Sequence, residues 1–359
     1  MTSERRRGNL ATWLPLAIFV LMGAFQPLTA QDRVPKYEVD SSWPAPFPER
    51  WVVGSLGGLC VDAKDHVLLL HRQEITEGDL NAGHLAPPII ELDPTGKVVN
   101  SWGDPKLLDR RLHSCFVDQD HNVWVASAPS GMVQKYSRDG AKLLLQIGQK
   151  GVLDSSDGTA TGKPLNSNVA RFFMPSSLFV DPTNGDVYVA DGESRRGQRR
   201  IAVMDKAGVF VRQWQPEGME SVHCMSVAND GLVYVCNRER SRIQVYDKKG
   251  NFLKNIEIPW KPYTPPAEGV AKESGGSAVS LELSRDPKQR LMFLINQNNA
   301  QIEVIERETG RILTRFGRGV GHFPGYFDQP HGIAVDSKGN VYVAENRGKR
   351  VQKFRSIEQ

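Results

Sequence analysis

The chain has 359 residues, of which 40% are hydrophobic and 24% charged, with a formal net charge of +4. That is the make-up of an ordinary soluble protein, and so small a charge gives no electrostatic reason to expect a nucleic-acid or anionic-membrane partner. Four cysteines are too few for a disulfide framework, although a pair could still close in an oxidising compartment.

In chain order, the first thirty residues read as a secretory leader. "MTSERRRGNL" is a basic start, "ATWLPLAIFVLMGAF" an apolar stretch of fifteen residues interrupted by Pro15, and Ala30 ends a small-residue cleavage point. The apolar run is shorter than the roughly 20 residues a membrane span needs. The expectation is a secreted or periplasmic protein with no span after leader removal. The leader carries three arginines and one glutamate, so the remaining 329 residues keep a net charge of +2.

Residues 31–50 hold one isolated strand pattern, "PKYEVDSSW", and six related units follow from residue 51 to the C-terminus. Aligned on the end of the first strand (Asp62, Asp118, Asp181, Ala228, Ser284 and Asp336), the steps are 56, 63, 47, 56 and 52 residues. Each unit alternates β-branched and aromatic residues with polar ones between Asp, Asn and Gly turns, the signature of short antiparallel strands. Units one to five have a fourth strand, while unit six stops at Phe354 without one. Pairing "PKYEVDSSW" with unit six would remove an exposed edge. The reading is all-β, a six-bladed propeller whose N-terminal strand closes the last blade. A pair of β-sandwiches would explain neither the regular step nor the missing strand.

Propeller topology puts the strand-two-to-three and strand-four-to-one connections on one face. Every long connection falls there: residues 73–88, 149–172, 260–277 and 318–330. Long loops gathered on one face of a rigid scaffold mark that face as the binding side, for a substrate or a protein partner. Within the strands, Cys224 and Cys236 flank a tight turn and fall opposite each other, which permits a bridge. Cys60 and Cys115 sit one register apart, which predicts opposite faces and no bridge.

One register carries chemistry. Five residues before each of those aligned positions stand Gly57, His113, Ser176, His223, a residue near Val279, and His331. Histidine therefore recurs in units two, four and six, about 120° apart in a six-fold ring. Three imidazoles converging on one channel make the protein half of a zinc site with its fourth position open. Ordinary polar residues at a channel mouth would give single histidines rather than this regular trio. A second register places Arg72 and Arg238 just beyond the second strands of units one and four. There they could grip a substrate carboxylate.

These residues resemble the peptidyl-α-hydroxyglycine α-amidating lyases, within the wider NHL-repeat propellers. The resemblance rests on "LHSCFVDQDHNVWV", "VHCMSVANDGLVYVCNRE", "QPHGIAVDSKGNVYVAE" and "LLLHR". It implies Zn2+ on His113, His223 and His331, substrate contacts from Arg72 and Arg238, and cleavage of a C-terminal α-hydroxyglycine to a peptide amide and glyoxylate. The substrate would be a small molecule or a peptide C-terminus, and the protein a monomer. Two positions depart from the family pattern. Glu193 stands where the family has its catalytic tyrosine, so Glu193 becomes a catalytic candidate, with Tyr263 and Tyr326 as alternatives from neighbouring loops. Gly332 stands where an aspartate helps bind a structural Ca2+, which leaves calcium without that ligand. The alternative to a lyase is a non-catalytic NHL propeller binding a peptide, protein or glycan on its long-loop face. A calcium-dependent lactonase fits less well, because such a channel wants carboxylates rather than three histidines.

Overall fold

The computed structural model describes residues 1–2, 34–193, 199–261 and 277–357. The expected leader from residue 3 onward and Tyr263 lie outside the described residues. Six four-stranded antiparallel sheets follow one another along the chain. Their innermost strands are Leu56–Val61, Leu112–Val117, Pro175–Val180, Val222–Val227, Ala278–Leu283 and Pro330–Val335. Each innermost strand packs against the innermost strands of both neighbouring blades, the sixth against the first, so the ring is closed. The sixth blade takes its outer strand from the other end of the chain, with Lys36–Val39 pairing antiparallel with residues 354–357. This is the six-bladed β-propeller that the repeat pattern predicts. Among the described residues, no helix is long and apolar enough to cross a membrane.

The turn chemistry is visible in the side chains. Asp62, Asp118 and Asp336 each end an inner strand, and each carboxylate accepts two main-chain N–H groups of the following turn. Such an aspartate satisfies amides that the ladder leaves unpaired and fixes where the second strand begins. The closing strand is pinned by Tyr37, whose ring stacks on Phe316 at 4.7 Å and meets Phe293 edge-on at 5.7 Å. Aromatic contacts of this kind add to the burial of apolar area.

Blades are held to each other by apolar clusters. Leu59 and Val61 pack toward blade six, whereas Cys60 packs toward blade two. This arrangement corrects the reading of the cysteines. Cys60 and Cys115 do point to opposite faces of their own blades, but opposite faces of consecutive blades are the two that meet. The pair is bridged, with a Cα–Cα distance of 5.6 Å. Cys224 and Cys236 are also bridged, directly opposite each other within blade four.

The two bridges close loops of different size, with separations of 55 and 12 residues. Chain entropy then assigns about 4 kcal/mol to the first and about 3 kcal/mol to the second. Cys60→Ser should therefore lower the unfolding free energy more than Cys224→Ser in denaturant titrations, and reductant should abolish the difference from wild type.

Candidate metal centre

Each inner strand carries an irregularity near its start. The register shifts between Leu112 and Ser114, between Val222 and Cys224, and between Pro330 and Gly332. The residue passed over is His113, His223 or His331. A bulge of this kind lifts one residue out of the ladder and re-aims its side chain. The odd blades have the same irregularity at Gly57, at Ser176 and around Val279. What it frees there is a carbonyl oxygen. His113 Nδ1 lies 2.6 Å from Ser176 O, His223 Nδ1 2.7 Å from Val279 O, and His331 Nδ1 2.8 Å from Gly57 O.

A carbonyl only accepts, so each Nδ1 donates and, in the neutral ring, each Nε2 presents a lone pair. The three rings face one another, with centroids 4.9–5.2 Å apart. Nε2 of His113 and of His223 is buried without a hydrogen-bond partner. Imidazoles fixed through Nδ1 by a carbonyl, with Nε2 turned to a common point, are oriented as metal-binding histidines are. Burial, with the positive charge of Arg238, holds His223 well below the usual histidine range. Burial and Arg72 do the same for His331. A ring kept unprotonated is a competent ligand.

Glu193 joins the trio. One ligand atom from each of His113, Glu193, His223 and His331 lies within 4.8 Å of every other. Its carboxylate is 3.4 Å from His113 Nε2. Burial pushes the Glu193 carboxyl up, whereas the Arg72 guanidinium draws it down toward the ionised form. The backbone explains its position. Asp191, fully buried, accepts N–H bonds from Phe173 and Met174 and is paired with the buried Arg200 at 3.1 Å. Met174 O in turn accepts from the N–H groups of Gly192 and Glu193.

Arg72 and Arg238 enter from opposite sides of the ring. Arg72 is 2% exposed, and its Nε donates to Leu112 O at 3.1 Å. Arg238 donates through one terminal nitrogen to Gln297 Oε1 at 2.8 Å, while its Nε is buried without a partner. The Tyr326 ring packs beside Gly321, and the Tyr326 carbonyl accepts from Arg350 and Gln352. The aspartate position of the calcium pattern is closed. A Cβ on Gly332 would lie 2.8 Å from Gly58 Cα, so a carboxylate there would have to push a backbone aside, and these residues do not fit the calcium ligand set.

A second group, Asp62, His66 and Glu91, also has metal-ligating atoms close together. Arg138 already donates to both carboxylates, and His66 lies 2.6 Å from Glu91. Those charges are balanced by protein cations. Of the long loops, 73–88 folds into a short helix at Glu77–Ala82 and a strand pair with Trp51–Val52. Loop 149–172 is anchored through Asp154 on Arg200. Most of 260–277 lies outside the described residues.

Residues 221–246 and 327–354 match the NHL repeat family. The chain is a six-bladed β-propeller that carries NHL repeats at these two stretches. It is 25% identical over 360 residues to peptidyl-glycine alpha-amidating monooxygenase B of Xenopus laevis, covering 92% of this chain and 37% of that protein. The chain thus spans about a third of the length of the amidating monooxygenases it matches. It is also 25% identical to NHL repeat-containing protein 3 of Homo sapiens, over 89% of this chain and 84% of that one. A probable peptidyl-alpha-hydroxyglycine alpha-amidating lyase of Caenorhabditis elegans is 22% identical, over 85% and 83% respectively. Among solved structures, a streptogramin B lyase superposes with a TM-score of 0.57 at 13% identity, covering 90% of this chain and 98% of that one. At that identity the likeness establishes the propeller fold.

A Cβ on Gly57 would collide with Leu112 O and lie 2.7 Å from Arg72 Nε. Gly57→Ala should therefore displace the carbonyl that orients His331 and cut metal uptake at least tenfold, read by chelator competition. His71, fully buried, accepts from Gly54 N–H at 2.5 Å. Burial lowers its pKa from 6.5 to about 4. The unfolded state takes up the proton first as pH falls, so this stability is complete above pH 6.5 and lost toward pH 4. The loss attributable to His71 is of order 3 kcal/mol, and His71→Gln should flatten the pH dependence of the unfolding free energy across that window.

Proposed function

We propose that this protein is an exported zinc-dependent carbon–nitrogen lyase of the peptidyl-α-hydroxyglycine type, acting on small α-hydroxyglycine derivatives or peptide C-termini. The observation that carries the reading is the trio itself: three Nε2 lone pairs aimed at one another, each ring locked through Nδ1 by a carbonyl of the next blade. The orphaned Nε2 atoms of His113 and His223 are what a resident cation would satisfy. Zinc suits an imidazole set, and when bound it supplies Lewis-acid polarisation of the substrate hydroxyl. The named amidating relatives support the same chemistry.

The chain's own residues would do the rest. Arg238 and Arg72, from opposite sides, hold the substrate carboxylate and set the orientation of the scissile bond. Glu193 is the acidic group placed beside the trio to accept the hydroxyl proton. Loss of that proton forms the aldehyde C=O of glyoxylate, the N–Cα bond breaks, and the departing nitrogen regains a proton to become the amide. Two disulfides support an oxidising compartment, in keeping with the leader-like N-terminus.

Elemental analysis of purified protein should find about one zinc per chain, lost in His223→Ala. α-Hydroxyhippurate should be cleaved to benzamide and glyoxylate. Arg238→Ala should retain zinc and raise KM for that substrate about tenfold or more. A protein that takes up no zinc would instead be a binding propeller, a reading its similarity to NHL repeat-containing protein 3 leaves standing. Zinc binding without cleavage would retain the metal centre and remove the lyase assignment.

A further inference from the structure

The carboxylate at the centre has a second consequence, which rests on the metal-centre reading above. His113 Nδ1 donates to Ser176 O, so its neutral ring turns a lone pair toward the Glu193 carboxylate, 3.4 Å away. Two acceptors therefore face each other. The His223 and His331 rings, held the same way, add two more. Four acceptor atoms within 4.8 Å of one another need a cation among them. A single proton could pair one ring nitrogen with one carboxylate oxygen, but it would leave the other two lone pairs unanswered. One divalent ion can satisfy all four.

We infer that Glu193 is a protein ligand of the metal in the substrate-free state, so that the resting centre is three histidines and one carboxylate. The fourth coordination position is then filled by the chain itself. Its occupant is the one ligand that does not stand on an innermost strand. Glu193 follows the second strand of blade three, which ends at Asp191, and its side chain is 22% exposed where the His113 ring is 4% exposed. The rings are clamped by main-chain carbonyls, whereas Glu193 is fixed at its backbone by Met174 O and its longer side chain carries three rotatable bonds. An arriving substrate hydroxyl would displace Glu193, which then stands beside the hydroxyl to take its proton. The same residue closes the site when it is empty and serves as the base when it is filled.

Metal affinity of Glu193→Ala and Glu193→Gln, measured by competition with a chromophoric zinc chelator, tests this without reference to activity. Wild type should bind zinc at least about tenfold more tightly than Glu193→Ala. Millimolar formate should restore much of the lost affinity by supplying the missing carboxylate, and the visible spectrum of the Co2+-loaded variant should shift toward wild type as formate is added. Thermal melts of the metal-free proteins establish that the variants are folded. If folded Glu193→Ala binds zinc as tightly as wild type with an unchanged Co2+ spectrum, Glu193 is not a ligand, and the three-histidine centre stands without it. An affinity loss that formate does not touch also overturns the ligand assignment. If wild type itself binds neither zinc nor Co2+, the proposed function fails together with this inference.

Discussion

Closure of the ring is the constraint from which the rest follows. Lys36–Val39 gives the last blade its outer strand, and the sixth inner strand then packs against the first. A closed ring of six has a fixed radius. Residues 113, 223 and 331, separated by about a hundred positions each, are thereby carried to one axis with their rings 4.9–5.2 Å apart. No local interaction could achieve this, because loop closure over such separations is costly and only the cooperative burial between blades offsets it. The Cys60–Cys115 bridge adds a covalent link between the first and second blades.

The centre divides its work between even and odd blades. Even blades supply imidazoles, and odd blades supply carbonyls at the same register, released from the ladder by the same irregularity. A main-chain acceptor has a fixed position and no rotamer to lose, so it orients a ring at less entropic cost than a side chain would. Gly57 illustrates how tight the arrangement is. Its carbonyl holds His331, while the space a side chain would need is filled by Leu112 O and Arg72. Arg72, tied to Leu112 O, thus belongs both to the packing of the joint and to the electrostatics of the site.

Much of this was legible in the sequence. Period and alternation gave six blades, the unpaired N-terminal strand gave the closure, and the shared register of His113, His223 and His331 gave the trio. Val279 is visible in the sequence only as an approximate alignment, because its contribution is a carbonyl that any residue carries. The disulfide between Cys60 and Cys115 departs from the sequence expectation because sidedness within one blade does not say which faces of two blades meet. Facing surfaces of consecutive blades are opposite faces of the repeat, so the predicted opposition was the condition for their meeting.

What the sequence determined by itself is therefore whatever repeats: strand pattern, blade count, and the register in which unusual residues recur. What only the tertiary structure decided is whatever depends on two units at once. The Nδ1–carbonyl locks, the bridge between blades, the closed calcium position at Gly332 against Gly58, and the approach of Glu193 to the histidines are all of this kind. The physical reason is that a repeat encodes its own hydrogen-bond ladder and hydrophobic face locally, whereas contacts between units depend on the angle and distance at which the closed ring sets neighbouring blades.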